Sequence, residues 1–244
     1  YRNNTANSLA LLEEMLAASL HLFVFSSTAA VYGLPVTLPI EEGHSTRPIS
    51  PYGSSKLMTE TMLAAIGRAH DFRFVCFRYF NASGADPGGL IGENRTRETH
   101  LIPLALKTAL GDSECLSIFG DDYPTADGTC IRDYVHVGDI ARAHVLALQY
   151  LISGGTSDTF NLGNGAGYSV KEVIKASEQV SGRRIPTRVL PPRLGDPPVL
   201  VSDSAKANRI LTWQPAFPRL DEIIRDAWRW HSRFYSNPEH AHSA

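Results

Sequence analysis

The sequence is short of cysteine. Three occur in 244 residues, Cys76, Cys115 and Cys130. An odd number without C-x-x-C spacing excludes a disulfide framework and a closely spaced thiolate metal site, and it fits a reducing compartment such as the cytoplasm. Charge of one sign is not in excess: 23 Lys and Arg stand against 25 Asp and Glu, a net charge of −2. No basic field therefore invites nucleic acid or an anionic membrane. Long hydrophobic runs are missing, and stretches such as Leu22–Phe25 fall far short of the ~20 residues that span a bilayer. No signal-peptide pattern opens the chain. Tyr1-Arg2-Asn3-Asn4 runs straight into helical periodicity, with neither an initiator methionine nor a leading strand. A convincing phosphate loop is also lacking. Asn161-Leu162-Gly163-Asn164-Gly165-Ala166-Gly167 has G-x-G-x-G spacing and no following P-loop lysine, so it reads as a strand-to-helix turn. Gly84, Gly88, Gly89 and Gly92 lead into a charged loop rather than a helix.

What is present is an ordinary globular composition, 43% hydrophobic and 20% charged, with alternating strand and helix patterns and enough length for one large or two small domains. Apolar positions at Leu9, Leu12 and Leu16 predict a helix over 5–19. Leu22–Ser27 is a continuous apolar run ending in hydroxyls, the pattern of a buried parallel strand. A proline-rich loop follows, then a helix over 54–70 and an aromatic strand over 72–80. This βαβ order predicts an α/β fold with a right-handed crossover. Further on, 81–97 reads as loop, 101–110, 139–151, 204–211 and 220–234 as helices, and 116–119, 134–137, 159–163 and 184–190 as strands. Ser169-x-x-Glu172 is a capping box that opens another helix.

Two features carry chemistry. Tyr52-Gly53-Ser54-Ser55-Lys56 puts a phenol and an ammonium four residues apart, one above the other on a helix face. A free tyrosine titrates near ~10; bringing it to 7 takes about 4 kcal/mol, and a nearby fixed positive charge favours the phenolate. Such a phenolate can take a proton from a sugar hydroxyl. Most Tyr-x-x-x-Lys spacings are plain surface pattern, so the motif needs a partner. Ser26-Ser27-Thr28 supplies one at a strand end, because ligands of parallel α/β sheets bind outside the carboxyl ends of the strands. Its bland alternative is a polar strand end capping its own backbone.

Longer segments carry a resemblance. Ser26-Ser27-Thr28-Ala29-Ala30-Val31-Tyr32-Gly33, Pro51-Tyr52-Gly53-x-x-Lys56-Leu57-Met58, Arg78-Tyr79-Phe80-Asn81, Phe119-Gly120-Asp121-Asp122-Tyr123-Pro124-Thr125, Gly128-Thr129-Cys130-Ile131-Arg132-Asp133-Tyr134-Val135-His136-Val137 and Arg193-x-Gly195-Asp196-Pro197 resemble, in order, the UDP-glucose 4-epimerase family of extended short-chain dehydrogenase/reductases. The resemblance implies an incomplete doubly wound, Rossmann-like parallel sheet with a smaller carboxy-terminal α/β substrate domain. It assigns 1–81 and parts of 130–165 to the NAD-binding domain, 82–129 and 166–235 to UDP-sugar binding, and 236–244 to a disordered tail. It implies NAD as cofactor and UDP-glucose and UDP-galactose as substrates. Tyr52 would be the base at the sugar 4-hydroxyl, Lys56 the holder of the nicotinamide ribose, and Thr28 a bridging hydroxyl, with Asn3 and Phe80 as further cofactor contacts. Asn81, His100, Leu101, Phe119, Arg132, Arg193 and Asp196 would form the UDP-sugar cradle, His100 standing where many relatives have asparagine. Leu200 falls at the position that sets sugar size. For Arg132 the bland alternative is an ion pair with Asp133 or Asp139.

The same resemblance implies a homodimer through helices 5–19 and 54–70. It also implies that the chain lacks the amino-terminal strand, glycine-rich turn and helix of the family plan, so that the Thr28 strand becomes a sheet edge. Sugar-nucleotide dehydratases share the Thr/Tyr/Lys set but need an acid after the strand-end hydroxyl, where Ala29 and Ala30 stand. UDP-pentose and UDP-uronate 4-epimerases, and a non-catalytic dimerising remnant, stay open.

Overall fold

The structure is a computed structural model that describes residues 1–235; the tail expected at 236–244 lies outside the described residues. In chain order, a short wide helical turn Arg2–Ala6 leads into α1 (Asn7–Ala17), β1 (Leu22–Ser26), α2 (Pro51–Ala69), β2 (Arg73–Tyr79), β3 (Asn81–Ser83), α3 (Leu101–Leu110), β4 (Leu116–Phe119) and β5 (Ile131–His136). Then come α4 (Val137–Ile152), β6 (Asp158–Leu162), β7 (Gly167–Ser169), α5 (Val170–Ser181), β8 (Thr187–Leu190), β9 (Val199–Leu200), α6 (Ala205–Leu211) and α7 (Leu220–Tyr235). No described helix is long and apolar enough to cross a membrane. The described residues divide into two compact units, 1–80 with 140–165 and 201–214, and 81–139 with 166–200 and 215–235.

The first unit is built on a parallel sheet in the order β1-β2-β6. Phe25 pairs with Cys76 and Ser26 with Phe77, while Arg78 pairs with Asn161 across β2 and β6. β2 is the middle strand, and its Val75, Cys76 and Phe77 are fully buried, as a strand covered on both faces requires. β1 lies at the edge of this sheet, as expected. One core cluster joins Leu12 of α1, Phe25 of β1, Leu63 of α2 and Phe72, Phe74 and Cys76. α2 begins at Pro51, three residues earlier than the apolar pattern predicts. Ser50 Oγ accepts from the Gly53 amide at 3.1 Å, and Pro51 takes the first helical position, where its missing N–H costs nothing.

The second unit has a mixed sheet in which β5 pairs in parallel with β3 and β9 and antiparallel with β7, and a separate parallel pair β4-β8. Its core gathers Ile102 and Leu106 of α3, Tyr134 of β5, Val173 of α5 and Leu220, Ile223, Ile224 and Ala227 of α7. The capping box is formed: Ser169 Oγ accepts from the Glu172 amide, and the Glu172 carboxylate accepts from the Ser169 amide. β3 lies in a stretch read as loop, and β9 in one to which the sequence assigned no element. Three and two residues are too few to show a period of two, so only their pairing with β5 defines them. Gly92 and Gly84 have packing reasons: a Cβ would approach the Trp230 ring to 2.2 Å in one case and the His136 ring to 2.5 Å in the other.

Candidate active site

In the first unit the strand end of β1 and the first turns of α2 meet. Gly53 permits it, because a Cβ there would come within 2.5 Å of the Ala30 carbonyl oxygen. The residue after Tyr52 is therefore glycine so that α2 can press on the turn following Thr28. Lys56 Nζ donates to the Ser26 carbonyl at 3.0 Å and lies 5.0 Å from the Phe25 ring centre and 5.9 Å from that of Tyr52. Burial holds its amine below the ordinary lysine range. Tyr52 is half exposed, at 48%. Thr28 is buried, and its Oγ1 accepts from the Ala30 amide at 3.2 Å, opening the short helical turn Ala29–Val31. The hydroxyl thus does cap its own backbone, as the bland alternative requires, while standing at the carboxyl end of β1. Phe80 is buried just beyond β2, and its amide donates to Leu162 O. Asn3 lies exposed on the first helical turn. Sequence reading missed His144 of α4, whose Nε2 is 3.0 Å from Ser26 Oγ and whose Nδ1 is 2.9 Å from Ile140 O. It lies 118 residues from Ser26, so no local pattern links them.

The lysine has three N–H bonds and spends one on Ser26. Its remaining donors, beside hydroxyls at a strand end, suit the ribose and nicotinamide end of a dinucleotide. No G-x-x-G-x-x-G occurs between Tyr1 and Ala244. The glycine-rich segment after β6 is structural: the Gly163 amide donates to Ser204 Oγ, and that hydroxyl donates back to Gly163 O.

In the second unit a cavity of about 280 Å³ is lined by Asn81, His100, Leu101, Phe119, Arg132, Arg193 and Asp196, together with Thr99, Ser117 and Tyr134, which the sequence did not single out. Arg132 donates through Nη1 to Ile131 O (2.9 Å) and Pro197 O (2.8 Å), and through Nη2 to Asp196 Oδ1 (3.0 Å). Its acidic partner is therefore Asp196 rather than Asp133 or Asp139. The Arg193 guanidinium stacks 3.9 Å from the centre of the Phe119 ring. Asn81 Nδ2 donates to Asp133 O at 2.8 Å. His100 sits at the amino-terminal cap of α3, its Nδ1 2.9 Å from Glu93 Oε1. That hydrogen bond raises the His100 pKa, with the Glu93 charge adding to it against the effect of burial. Leu101, Ile102 and Pro103 of the first α3 turn border the same cavity. Two guanidinium groups and the positive end of a helix dipole bordering one cavity suit a doubly charged phosphate chain. Leu200 does not border the cavity; it lies in β9 opposite Arg132.

A parallel sheet with a lysine and a tyrosine one turn apart at its carboxyl edge defines a Rossmann-like α/β protein. Residues 1–163 match the NAD dependent epimerase/dehydratase family, and the chain belongs to that family. It is 50% identical over 242 residues to the UDP-glucose 4-epimerase of Halalkalibacterium halodurans, spanning 99% of this chain and 71% of that protein. The crystal structure of UDP-glucose 4-epimerase from Brucella ovis in complex with NAD superposes with a TM-score of 0.91 at 46% identity, covering 93% of this chain and 70% of that one. That of Bifidobacterium longum UDP-glucose 4-epimerase with NAD+ and UDP gives 0.91 at 38% identity, covering 98% and 71%.

Proposed function

We propose that this chain carries the proton-moving and UDP-binding parts of a UDP-glucose 4-epimerase, interconverting UDP-glucose and UDP-galactose with NAD. The observation that carries the reading is Lys56, held against the Ser26 carbonyl beside the Tyr52 ring at the end of β1. NAD, when bound, supplies the two-electron oxidation of carbon 4 and its reversal. Tyr52 takes the proton of the hexose 4-hydroxyl and later returns it, and the Thr28 hydroxyl bridges the two oxygens. The Lys56 ammonium stabilises negative charge on the phenol oxygen and holds the ribose hydroxyls with its remaining donors. Asn3 and Phe80 are assigned to the same cofactor.

In the second unit Arg132 and Arg193 hold the diphosphate, with Asn81, His100, Leu101, Phe119 and Asp196 around it. Anchoring by UDP leaves the hexose loosely held, so the 4-keto sugar can present either face and one site serves both epimers. We assign the first unit to the cofactor and the second to the UDP-sugar, and Leu200 to sugar size. The rival substrates are UDP-pentoses and UDP-uronates, separable by product analysis.

We further infer a homodimer. An apolar hollow of about 530 Å³ lined by Thr5, Pro48, Ser54, Leu57, Met58, Thr61 and Met62 lies on α2 and its neighbours. Leu9 and Leu11 of α1 and Met58 of α2 are exposed, at 42%, 50% and 46%, which suits a second copy packing helix on helix. The three free cysteines suit the reducing cytoplasm, where we place the activity.

The test is conversion of UDP-galactose to UDP-glucose by the purified chain with added NAD, beside Tyr52→Phe. Conversion that needs the tyrosine supports the reading. Conversion that survives its replacement sinks it, and a dimer without conversion favours the non-catalytic alternative.

A further inference from the structure

α2 carries a third charged side chain in line with Tyr52 and Lys56. Glu60 lies a further four residues along, on the same helix face, and is 8% exposed. Its Oε1 accepts from Ser27 Oγ at 2.5 Å. Lys56 and Glu60 therefore grip consecutive residues of the strand end, one by the Ser26 carbonyl and the other by the Ser27 hydroxyl, directly before Thr28. The carboxylate is itself locked. Arg78 of β2 donates from Nε to both its oxygens, at 3.1 and 3.3 Å, and from Nη2 to Oε2 at 2.6 Å. The other arm of Arg78 donates to Tyr32 Oη (3.2 Å) and Glu42 O (3.3 Å), and Tyr32 Oη donates to Asn161 Oδ1 of β6 at 2.7 Å. One buried chain of hydrogen bonds thus joins β1, α2, β2, β6 and the turn after Thr28. Burial opposes the Arg78 charge, yet its hydrogen bonds to Glu60 and Tyr32 and their charges raise its pKa, so the guanidinium stays charged.

Replacing a buried ion pair by well-packed apolar groups is often neutral for stability. This pair holds three specific geometries at once, the side chains of Ser27 and Tyr32 and the depth of α2, which apolar groups would not reproduce. We infer that Glu60, fixed by Arg78, is a positioning residue that sets the Ser26–Thr28 strand end and α2 in register. It touches no reacting atom. Its effect reaches the chemistry through the placement of Lys56, Thr28 and Tyr52, and in that sense it rests on the function proposed above.

The experiment uses the full chain and three variants: Ser27→Ala, the double variant Glu60→Leu/Arg78→Met, and Tyr52→Phe. Thermal midpoints are measured, together with the acetylation rate of Lys56 by peptide mass and the amide exchange of Thr28–Ala30. The double variant is expected to melt near the wild type. Its Lys56 is expected to label roughly two- to tenfold faster, the factor for one lost hydrogen bond, with faster exchange at Thr28–Ala30 and Lys175 of α5 unchanged. Ser27→Ala is expected to move the same readouts in the same direction. Should the double variant not fold, Ser27→Ala decides. Wild-type labelling and exchange in the folded variants would overturn the inference. UDP-galactose conversion with added NAD is followed on the same samples: conversion that survives in Tyr52→Phe overturns the catalytic reading, whereas labelling and exchange in the other two variants decide the strut, so the two failures are seen separately.

Discussion

Arg132 Nη2 lies 3.0 Å from Asp196 Oδ1, although 64 residues separate them. Both line the cavity of the second unit, and two carbonyls hold the other arm of the guanidinium. Asp196 therefore pre-orients the arginine. Charge-assisted hydrogen bonds contribute about 1.5–3 kcal/mol each. Arg132→Ala is expected to weaken UDP binding about ten- to a hundredfold by calorimetry. Arg132→Lys is expected to fall close to it, because an ammonium cannot reproduce the planar fork. Asp196→Ala is expected to show a smaller loss of the same sign. UDP affinity untouched by Arg132→Ala would remove the cavity as the diphosphate site.

Tyr52→Phe deletes the hydroxyl and little volume. General-base contributions run to about 10²–10⁴-fold, so UDP-galactose conversion should fall by that order while UDP affinity holds. Lys56→Met should lower turnover comparably and weaken NAD retention, checked by absorbance after filtration. A Lys56→Met chain with full turnover would contradict the role given to its ammonium.

His100 and Glu93 titrate as a pair. The His100 pKa is raised from its ordinary 6.5, first by the hydrogen bond that the Glu93 carboxylate accepts from its ring. For Glu93, burial alone would raise the ordinary 4.5, but His100 and Arg95 outweigh it and the pKa is lowered. The histidine's contribution to stability is complete below pH 6.5 and is lost as pH rises through its raised value. The glutamate's is present above 4.5 and is lost as pH falls through its depressed value. The pair therefore helps most between those two pH values, and modestly, since His100 is nearly half exposed. In Glu93→Gln the His100 ring resonances should titrate at lower pH than in the wild type; an unmoved midpoint would count against the pair.

His231 of α7 is 3% exposed, and its pKa is pushed down to about 4, mainly by burial, with the Lys107 charge adding to it. Below pH 6.5 the unfolded chain binds a proton that the folded chain refuses. Stability should therefore fall with pH from 6.5 to about 4, by on the order of 3 kcal/mol from this group. Denaturant melts of wild type and His231→Phe across that range check it: the variant should show a shallower acid loss, and parallel curves would refute the assignment.

Helix-face charges test the dimer. Met58→Lys together with Leu9→Glu is expected to shift the sedimenting species toward monomer across a concentration series while leaving the thermal midpoint within a few degrees. A wild type that sediments as monomer throughout would end the proposal.

Much of the architecture is legible from local pattern. The apolar spacing of Leu9, Leu12 and Leu16 predicts α1, the Ser169–Glu172 box predicts the start of α5, and the run Leu22–Ser27 predicts β1. Helix and capping signals act over three or four residues, within reach of a reader of sequence. β9 shows the opposite case. Val199 and Leu200 are a strand only because β5 lies beside them.

The sequence by itself determined that a hydroxyl ends a strand, though the structure leaves that strand only partly buried because it lies at the sheet edge; it also determined that Tyr52 and Lys56 share a helix face and that no glycine-rich dinucleotide turn occurs between Tyr1 and Ala244. Only the tertiary structure decided which groups hold them. Lys56 reaches Ser26 across 30 residues, Glu60 reaches Ser27 across 33, and Arg132 closes on Asp196 across 64. A helix or strand is written in nearest neighbours. Side-chain partners distant along the chain are chosen by packing, which brings together residues whose separation in sequence carries no period to read.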